Sequence, residues 1–276
     1  AGGRRLAAAA EVDPAAALDA AAALAAHARL GRESAGFTAL QIGACDGDFV
    51  GEGTSNDPLQ GRLLAMPQAS AVLVEPNPAV FAVLRRRVAD HFGHGGRVRA
   101  VNLAVSPEQP GRLPFYVVSP RLASDHPSRA PHWALYQLSS LDREHVLKHH
   151  EHLGLSRQAF AEYVEEIAVP CLAPAGLLRR CGLAPGAVDV LAVDAEGLDV
   201  PIVGAFLRMP GFDPAAIIFE AEHAATDGLD GLLSDLERRG YAIRRARSEW
   251  PTTDVVALKP AAAMACAMDS QGKKKR

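Results

Sequence analysis

"LQIGACDGD", residues 40–48, runs from an apolar strand straight into two glycines and two acids. A strand ending this way offers backbone to whatever lies beyond it, because glycine admits close approach and tolerates positive φ. Two phosphate-binding readings fail by letter. "GEGTSN" at 51–56 lacks the third glycine of a G-x-G-x-x-G fingerprint, and no Walker G-x-x-x-x-G-K-[ST] occurs. Asp46 and Asp48 would also repel a pyrophosphate, so the acidic loop suits a ligand with positive charge.

Outward from this stretch, short apolar runs alternate with helical patterns. "FTALQIG", "SAVLVEP", "GRVRAVNLAVS", "VDVLAVDAEG" and "AAIIFEAEH" read as strands, and "RLPFYVVS" as a further, antiparallel one. "PAVFAVLRRRVADHFG", with Val80, Val83, Leu84, Val88 and Phe92 at helical spacing, "PAGLLRRCG" and "LDGLLSDLERRG" read as helices. The runs "AVLVE", "VDVLAV" and "AIIFE" are nearly continuous rather than alternating, as strands covered on both faces require. The expectation is a doubly wound, mostly parallel α/β sheet. A closing antiparallel hairpin at one edge, "YAIRRARS" and "TDVVALKP", is joined through "SEWPTT".

At the N-terminus, residues 1–12 read as frayed. A helix over 14–30 follows, with Asp13 as N-cap, Pro14 at the first helical position and Gly31 as stop, acting as a lid or brace. Residues 119–168, holding His126, Pro127, Pro131, His132 and Trp133, break the rhythm and read as a cap over the site. The expected organisation is therefore a tail and Ala-rich helix (1–36), a main domain (37–260) containing the cap, and a loose basic-ended tail (261–276).

Composition narrows the function classes. The 276 residues are 49% hydrophobic and 22% charged, which is globular usage. A net charge of -3 gives no electrostatic reason to expect nucleic acid as a partner. Cys45, Cys171, Cys181 and Cys266 are scattered without a C-x-x-C pair, which fits a reducing compartment. No run reaches the roughly 20 apolar residues of a spanning helix. A soluble, intracellular protein acting on a small molecule is expected.

The second strand ends in "VEPNP". A carboxylate at Glu75 can accept hydrogen bonds from both hydroxyls of a ribose. A glycine-rich acidic loop with this carboxylate fits S-adenosylmethionine, a cationic sulfonium nucleoside. "LQIGACDGD", "NDPL" at 56–59, "LVEPNPAVFAVL", "NLAVS", "SSL", "VDVLAVDAEGLDVPIV" and "IIFEAEH" occur in that order. Together they resemble the FkbM-type S-adenosylmethionine-dependent methyltransferases over roughly residues 37–260. The resemblance implies a class I methyltransferase (Rossmann-like) fold and methyl transfer to an oxygen of a sugar, glycan or secondary metabolite. It further implies that Gly43, Asp46 and Gly47 form the cofactor loop, that Glu75 holds the ribose, and that Asn102 and Leu103 lie by the adenine. Ser139 and Ser140 match the family's serine pair in the cap, or else cap the helix before "LDREHV". Cys45 departs from the pattern, standing where such loops commonly have asparagine.

Methyl transfer to an alcohol needs alignment of the acceptor and removal of its proton. Asp194, Glu196 and His223 are the candidate bases, although Asp194 and Glu196 also suit a turn through Gly197 and a helix cap. A divalent ion among Asp194, Glu196, Glu220 and His223 is not demanded by the spacing, so no metal is expected. His145, His149 and His152 share one helical face, which reads as a solvated surface. Two rivals remain: a nucleotide-dependent oxidoreductase, which the acidic loop disfavours, and a non-catalytic nucleoside-binding module. The acceptor and the oligomeric state are not encoded in any motif.

Overall fold

The computed structural model describes residues 9–28, 37–50, 57–222, 224–246 and 254–263. Among the described residues twelve strands form two sheets. In the main sheet are β1 (Glu11–Val12), β2 (Phe37–Ile42), β3 (Ala69–Val74), β4 (Val98–Val101), β9 (Val190–Val193), β10 (Ala216–Phe219), β11 (Ala242–Ala246) and β12 (Val255–Leu258). Their order is β1-β11-β12-β10-β9-β2-β3-β4. From β10 to β4 every pairing is parallel, whereas β12 lies antiparallel between β10 and β11. The expected doubly wound sheet with an antiparallel end is therefore present, and "SEWPTT" lies wholly outside the described residues. One detail differs: Glu11 and Val12 pair parallel with Arg245 and Ala246, so the stretch read as frayed adds an outermost strand.

The sheet is covered on both faces, as its strand composition requires. Alternate residues of β2 supply the two cores, Phe37 and Ala39 to one, Leu40 and Ile42 to the other. The first face is covered by α1 (Pro14–Ala28), α2 (Pro58–Leu63) and α3 (Pro78–Phe92). Asp13 caps α1 through its Oδ1, which accepts from Ala15 N at 2.9 Å, and Ala17, Leu18 and Ala21 are fully buried. That makes α1 a brace on the sheet, while Gly31 lies outside the described residues. The second face carries α8 (Pro174–Cys181), α9 (Asp199–Leu207) and α10 (Thr226–Arg238), with Leu177, Ile202, Phe206, Leu232 and Leu236 in its core.

The middle of the chain differs from its sequence reading. "GRVRAVNLAVS" is two strands: β4 ends the main sheet, and β5 (Ala104–Val105) begins a second one after only Asn102 and Leu103. β6 (Gly111–Val118), β7 (Ser139–Ser140) and β8 (Val164–Leu172) complete it in the order β5-β8-β6-β7. The nine-residue β8 was invisible in the sequence because Glu165 and Glu166 break its apolar pattern. Between β6 and β8 lie four one-turn helices, α4 (Arg121–Asp125), α5 (His132–Tyr136), α6 (Arg143–Leu147) and α7 (Arg157–Ala161). They share a separate core that includes Leu122, Ala134, Val146, Leu147 and Phe160. The region read as irregular thus has its own sheet and its own apolar centre.

Candidate functional site

The strand order reverses between β2 and β9, and open α/β sheets bind ligands beyond the carboxyl ends of the strands at such a point. A cavity of about 800 Å³ lies there, walled by the ends of β2, β3, β9 and β10, with Tyr136, Gln137, Ser139 and Leu141 from the second sheet and its helices. Six carboxylic acids line it: Asp57, Glu75, Asp194, Glu196, Glu220 and Asp254. Among the described residues, no Lys, Arg or His does.

The glycine at the end of β2 is there for a steric reason. Gly43 has φ 79°, and a Cβ on it would stand 1.6 Å from the Asp194 carbonyl oxygen. The loop is pressed against the end of β9, to which Ile42 is tied by Asp194 N–H at 2.9 Å. Gly43 and Ala44 both donate to Val74 O, which fixes the loop to β3 as well. Gly47, also left-handed at φ 78°, faces protein rather than the cavity, since a Cβ there would meet Leu84 at 2.7 Å.

Asp46 requires a correction. It is 1% exposed and does not line the cavity; its Oδ2 lies 3.0 Å from Arg87 Nη1 and 3.6 Å from His132 Nε2. Asp48 is buried too. Asp46 therefore anchors α3 and α5, and the negative wall of the cavity comes from other residues.

Glu75 does face the cavity, 4% exposed, at the end of β3. Its Oε1 accepts from Asn77 N at 2.8 Å and its Oε2 from Cys45 N at 3.0 Å. Burial pushes its carboxyl up to about 8, against the two backbone N–H groups and with help from Asp46. Asn102 does not line the cavity: its Nδ2 donates to Glu75 O and Pro76 O at 2.8 and 3.0 Å, bracing the turn that carries Glu75. Leu103 does line it. Cys45 has φ 49°, the left-handed region that asparagine tolerates better than other non-glycine residues. Its thiol is pushed up by burial, then by Asp46 and Glu75, and sits 3.5 Å from Tyr136 O.

Sequence reading missed a neighbouring polar cluster. Asp57 caps α2, its Oδ1 accepting from Gln60 N at 2.8 Å, while Gln41 Nε2 donates to its Oδ2. Gln60 Nε2 reaches Gln41 Oε1 and Ala44 O, but its buried Oε1 has no hydrogen-bond partner among the described residues. The signal was present in "NDPL", an N-cap acid before a proline at the first helical position. Asp254, on the far wall, had no such signal.

At the end of β9 the carboxyls crowd one another. Asp194 is open to the cavity, and enclosure by protein together with Glu196 and Glu220 raises its carboxyl well above the usual range. Burial raises Glu220 to about 8, with Glu196 and Asp199 adding to it. Burial likewise lifts Asp254 to about 6, with Glu222 and Asp57 contributing. Asp199 is buried and structural: its carboxylate accepts from Ala195 N at 2.9 Å and Gly197 N at 3.2 Å, and burial holds it at about 6.

Glu196 takes a left-handed backbone, φ 50°, and its Oε2 lies 2.7 Å from His145 Nε2. The solvated histidine face expected from the sequence is thereby corrected: His145 is 6% exposed, buried by the loop after β9. Of the serine pair, Ser139 faces the cavity, whereas Ser140 is fully buried. Ser140 Oγ donates to Glu196 O at 2.9 Å and accepts from Asp142 N, and Asp142 is the residue that caps α6. His223 lies outside the described residues.

The strand order, with its antiparallel β12 inserted before the edge, is that of the class I methyltransferase fold. No protein-family model matches the chain, and no curated protein matches it. Solved structures similar to it include precorrin-6y C5,15-methyltransferase from Geobacter metallireducens, at 15% identity and TM-score 0.36 over 81% of this chain and 80% of that one. A methyltransferase FkbM from Methylobacillus flagellatus is similar at 14% identity and TM-score 0.44, over 81% of this chain but 43% of the other. Aeropyrum pernix fibrillarin, solved with natively bound S-adenosyl-L-methionine, is similar at 14% identity and TM-score 0.36, over 87% and 73%. Among the described residues no helix is long and apolar enough to cross a membrane.

Proposed function

We propose that the chain is an S-adenosylmethionine-dependent methyltransferase that methylates a hydroxyl of a sugar, glycan or secondary metabolite. The observation that carries this reading is Glu75, buried at the end of β3 and lining the cavity. Each oxygen takes one backbone N–H and keeps a second acceptor site, the arrangement a pair of ribose hydroxyls needs. Gly43 and Gln60 line the same cavity, and Gln60 Oε1, which has no hydrogen-bond partner among the described residues, offers an acceptor to an ammonium group. A wall of carboxylic acids without cationic side chains suits a sulfonium.

Residue roles follow from position. Gly43 and Glu75 bind the cofactor and Leu103 packs by the adenine, while Asp46, Gly47 and Asn102 support that surface from behind. The bound cofactor supplies an electrophilic methyl group. Asp194 is the general base: it borders the cavity at the end of β9, and a raised carboxyl is a stronger base than an ordinary one. Glu196 orients the loop beside it, Ser139 faces the acceptor and Ser140 fixes Glu196. The unit at 119–168 then selects the acceptor as a cap on the main domain.

Calorimetry tests the reading directly. The purified chain is expected to bind S-adenosylmethionine with a Kd on the order of micromolar, and Glu75→Ala should weaken binding by about 100-fold, two charge-assisted hydrogen bonds being lost. A screen of hydroxylated metabolites and sugars for transfer of a labelled methyl group then identifies the acceptor. Absence of binding by the wild-type chain overturns the proposal.

A further inference from the structure

The helices of the second sheet bring a different donor set together at the cavity's edge. His145 and His149 stand one helical turn apart, where α6 runs into its 3-10 extension (Lys148–Glu151), and their ring centroids are 5.5 Å apart. Glu196 arrives from the loop after β9, and one donor atom from each of the three residues falls within 4.8 Å of the others. Several features serve this convergence. A Cβ on Gly197, at φ 101°, would stand 2.5 Å from His145 Nδ1, so only glycine leaves room for the imidazole. Glu196 takes a left-handed backbone that non-glycine residues rarely adopt, and Ser140 Oγ holds its carbonyl at 2.9 Å.

We infer that His145, His149 and Glu196 form a binding site for a divalent transition-metal ion, with zinc the best chemical match. Two histidines at i and i+4 on one helical face with a carboxylate from another element are the donor types and spacing that zinc takes, and imidazole favours transition metals over magnesium or calcium. Glu196 lines the cavity while neither histidine does, which places the ion in its wall. Nothing in this inference requires the methyl donor.

One group opposes the ion. Lys148 Nζ lies 3.2 Å from His145 Nδ1, and an ammonium there repels a cation on the same ring. Lys148 is exposed, and its long chain lets it turn to solvent when the ion enters. Replacing it by methionine should therefore tighten binding.

The test uses the full chain, stripped with a chelator and titrated with Zn²⁺ by calorimetry and with Co²⁺ by visible absorption. One ion per chain is expected, with the intense bands of low-coordinate Co²⁺. His149→Ala and Glu196→Gln should each weaken binding more than tenfold, Lys148→Met should strengthen it, and His152→Ala, altering an exposed ring beside His149, should leave it unchanged. His149 is half-buried, and far-UV circular dichroism of each variant checks that the fold is retained. The inference is overturned if the wild type binds no stoichiometric ion or if His149→Ala binds as the wild type does. It is equally overturned if His152→Ala loses as much affinity as His149→Ala, for then the exposed histidine run is the binder.

Discussion

The two ends of the cavity are built on opposite principles. At β2 and β3, Glu75 is surrounded by backbone donors, and Gly43, Cys45 and Asn102 hold the turn that presents it. At β9 and β10, burial raises the carboxyls of Asp194 and Glu220, and the charge of Glu196 adds to both. The first end is rigid because both carboxyl oxygens of Glu75 are held by fixed backbone donors. The second is poised because its carboxyls lie close enough to act on one another. One cavity therefore has an end fixed by backbone hydrogen bonds beside an end of crowded carboxyls.

The sharpest way to break the rigid end is Gly43→Ala. Its Cβ would enter the Asp194 carbonyl, a clash with backbone that no rotamer relieves. The variant should lose on the order of 4 kcal/mol, read as a lower urea midpoint, and with it all S-adenosylmethionine binding. A urea midpoint equal to wild type would show that the loop is not held against β9.

The poised end predicts a pH dependence of opposite character. Burial pushes Glu220 up to about 8 in the folded chain, against about 4.3 for an ordinary glutamate, and it pushes Glu75 at the other end up to about 8 as well. Between those values the folded chain binds more protons than the unfolded one, so stability falls as pH rises through that window. Thermal melts of the ligand-free chain should give a lower Tm at pH 8 than at pH 5.5, and Glu220→Gln should flatten the slope. A Tm that rises across the window would contradict the raised, buried carboxyls.

The smallest expected effect is at Cys45. Asparagine accepts φ 49° more readily than cysteine, so Cys45→Asn should raise stability by up to ~1 kcal/mol. The Cys45 N–H to Glu75, which comes from the backbone, should persist, leaving cofactor affinity within about threefold. A large gain in affinity instead would assign the missing asparagine a direct contact with the ligand.

Legibility from sequence followed this same division. The parallel core was readable because β9 and β10 are buried on both faces and spell continuous apolar runs. Gly43 and Glu75 were readable because strand ends in such a sheet carry ligands, and their residue types have few other uses there. Asp46 misled because a letter code gives acidity but not direction: its carboxylate turned toward Arg87, a partner 41 residues away. Asp254 and the His145–Glu196 contact depend on elements that meet only after folding, and no local pattern records such a meeting. β8 was hidden because the second sheet is exposed on one side, so its alternation is loose and its glutamates look like loop.

The handover at Asn102 and Leu103 joins these regions in one further way. Two residues separate β4 of the main sheet from β5 of the second, leaving no slack for a flexible linker. Asn102 bolts that joint to Glu75, and Leu103 stands in the cavity wall. The joint therefore ties the first strand of the second sheet to the cavity wall, so that the cavity's shape and the seating of that sheet are set by the same two residues.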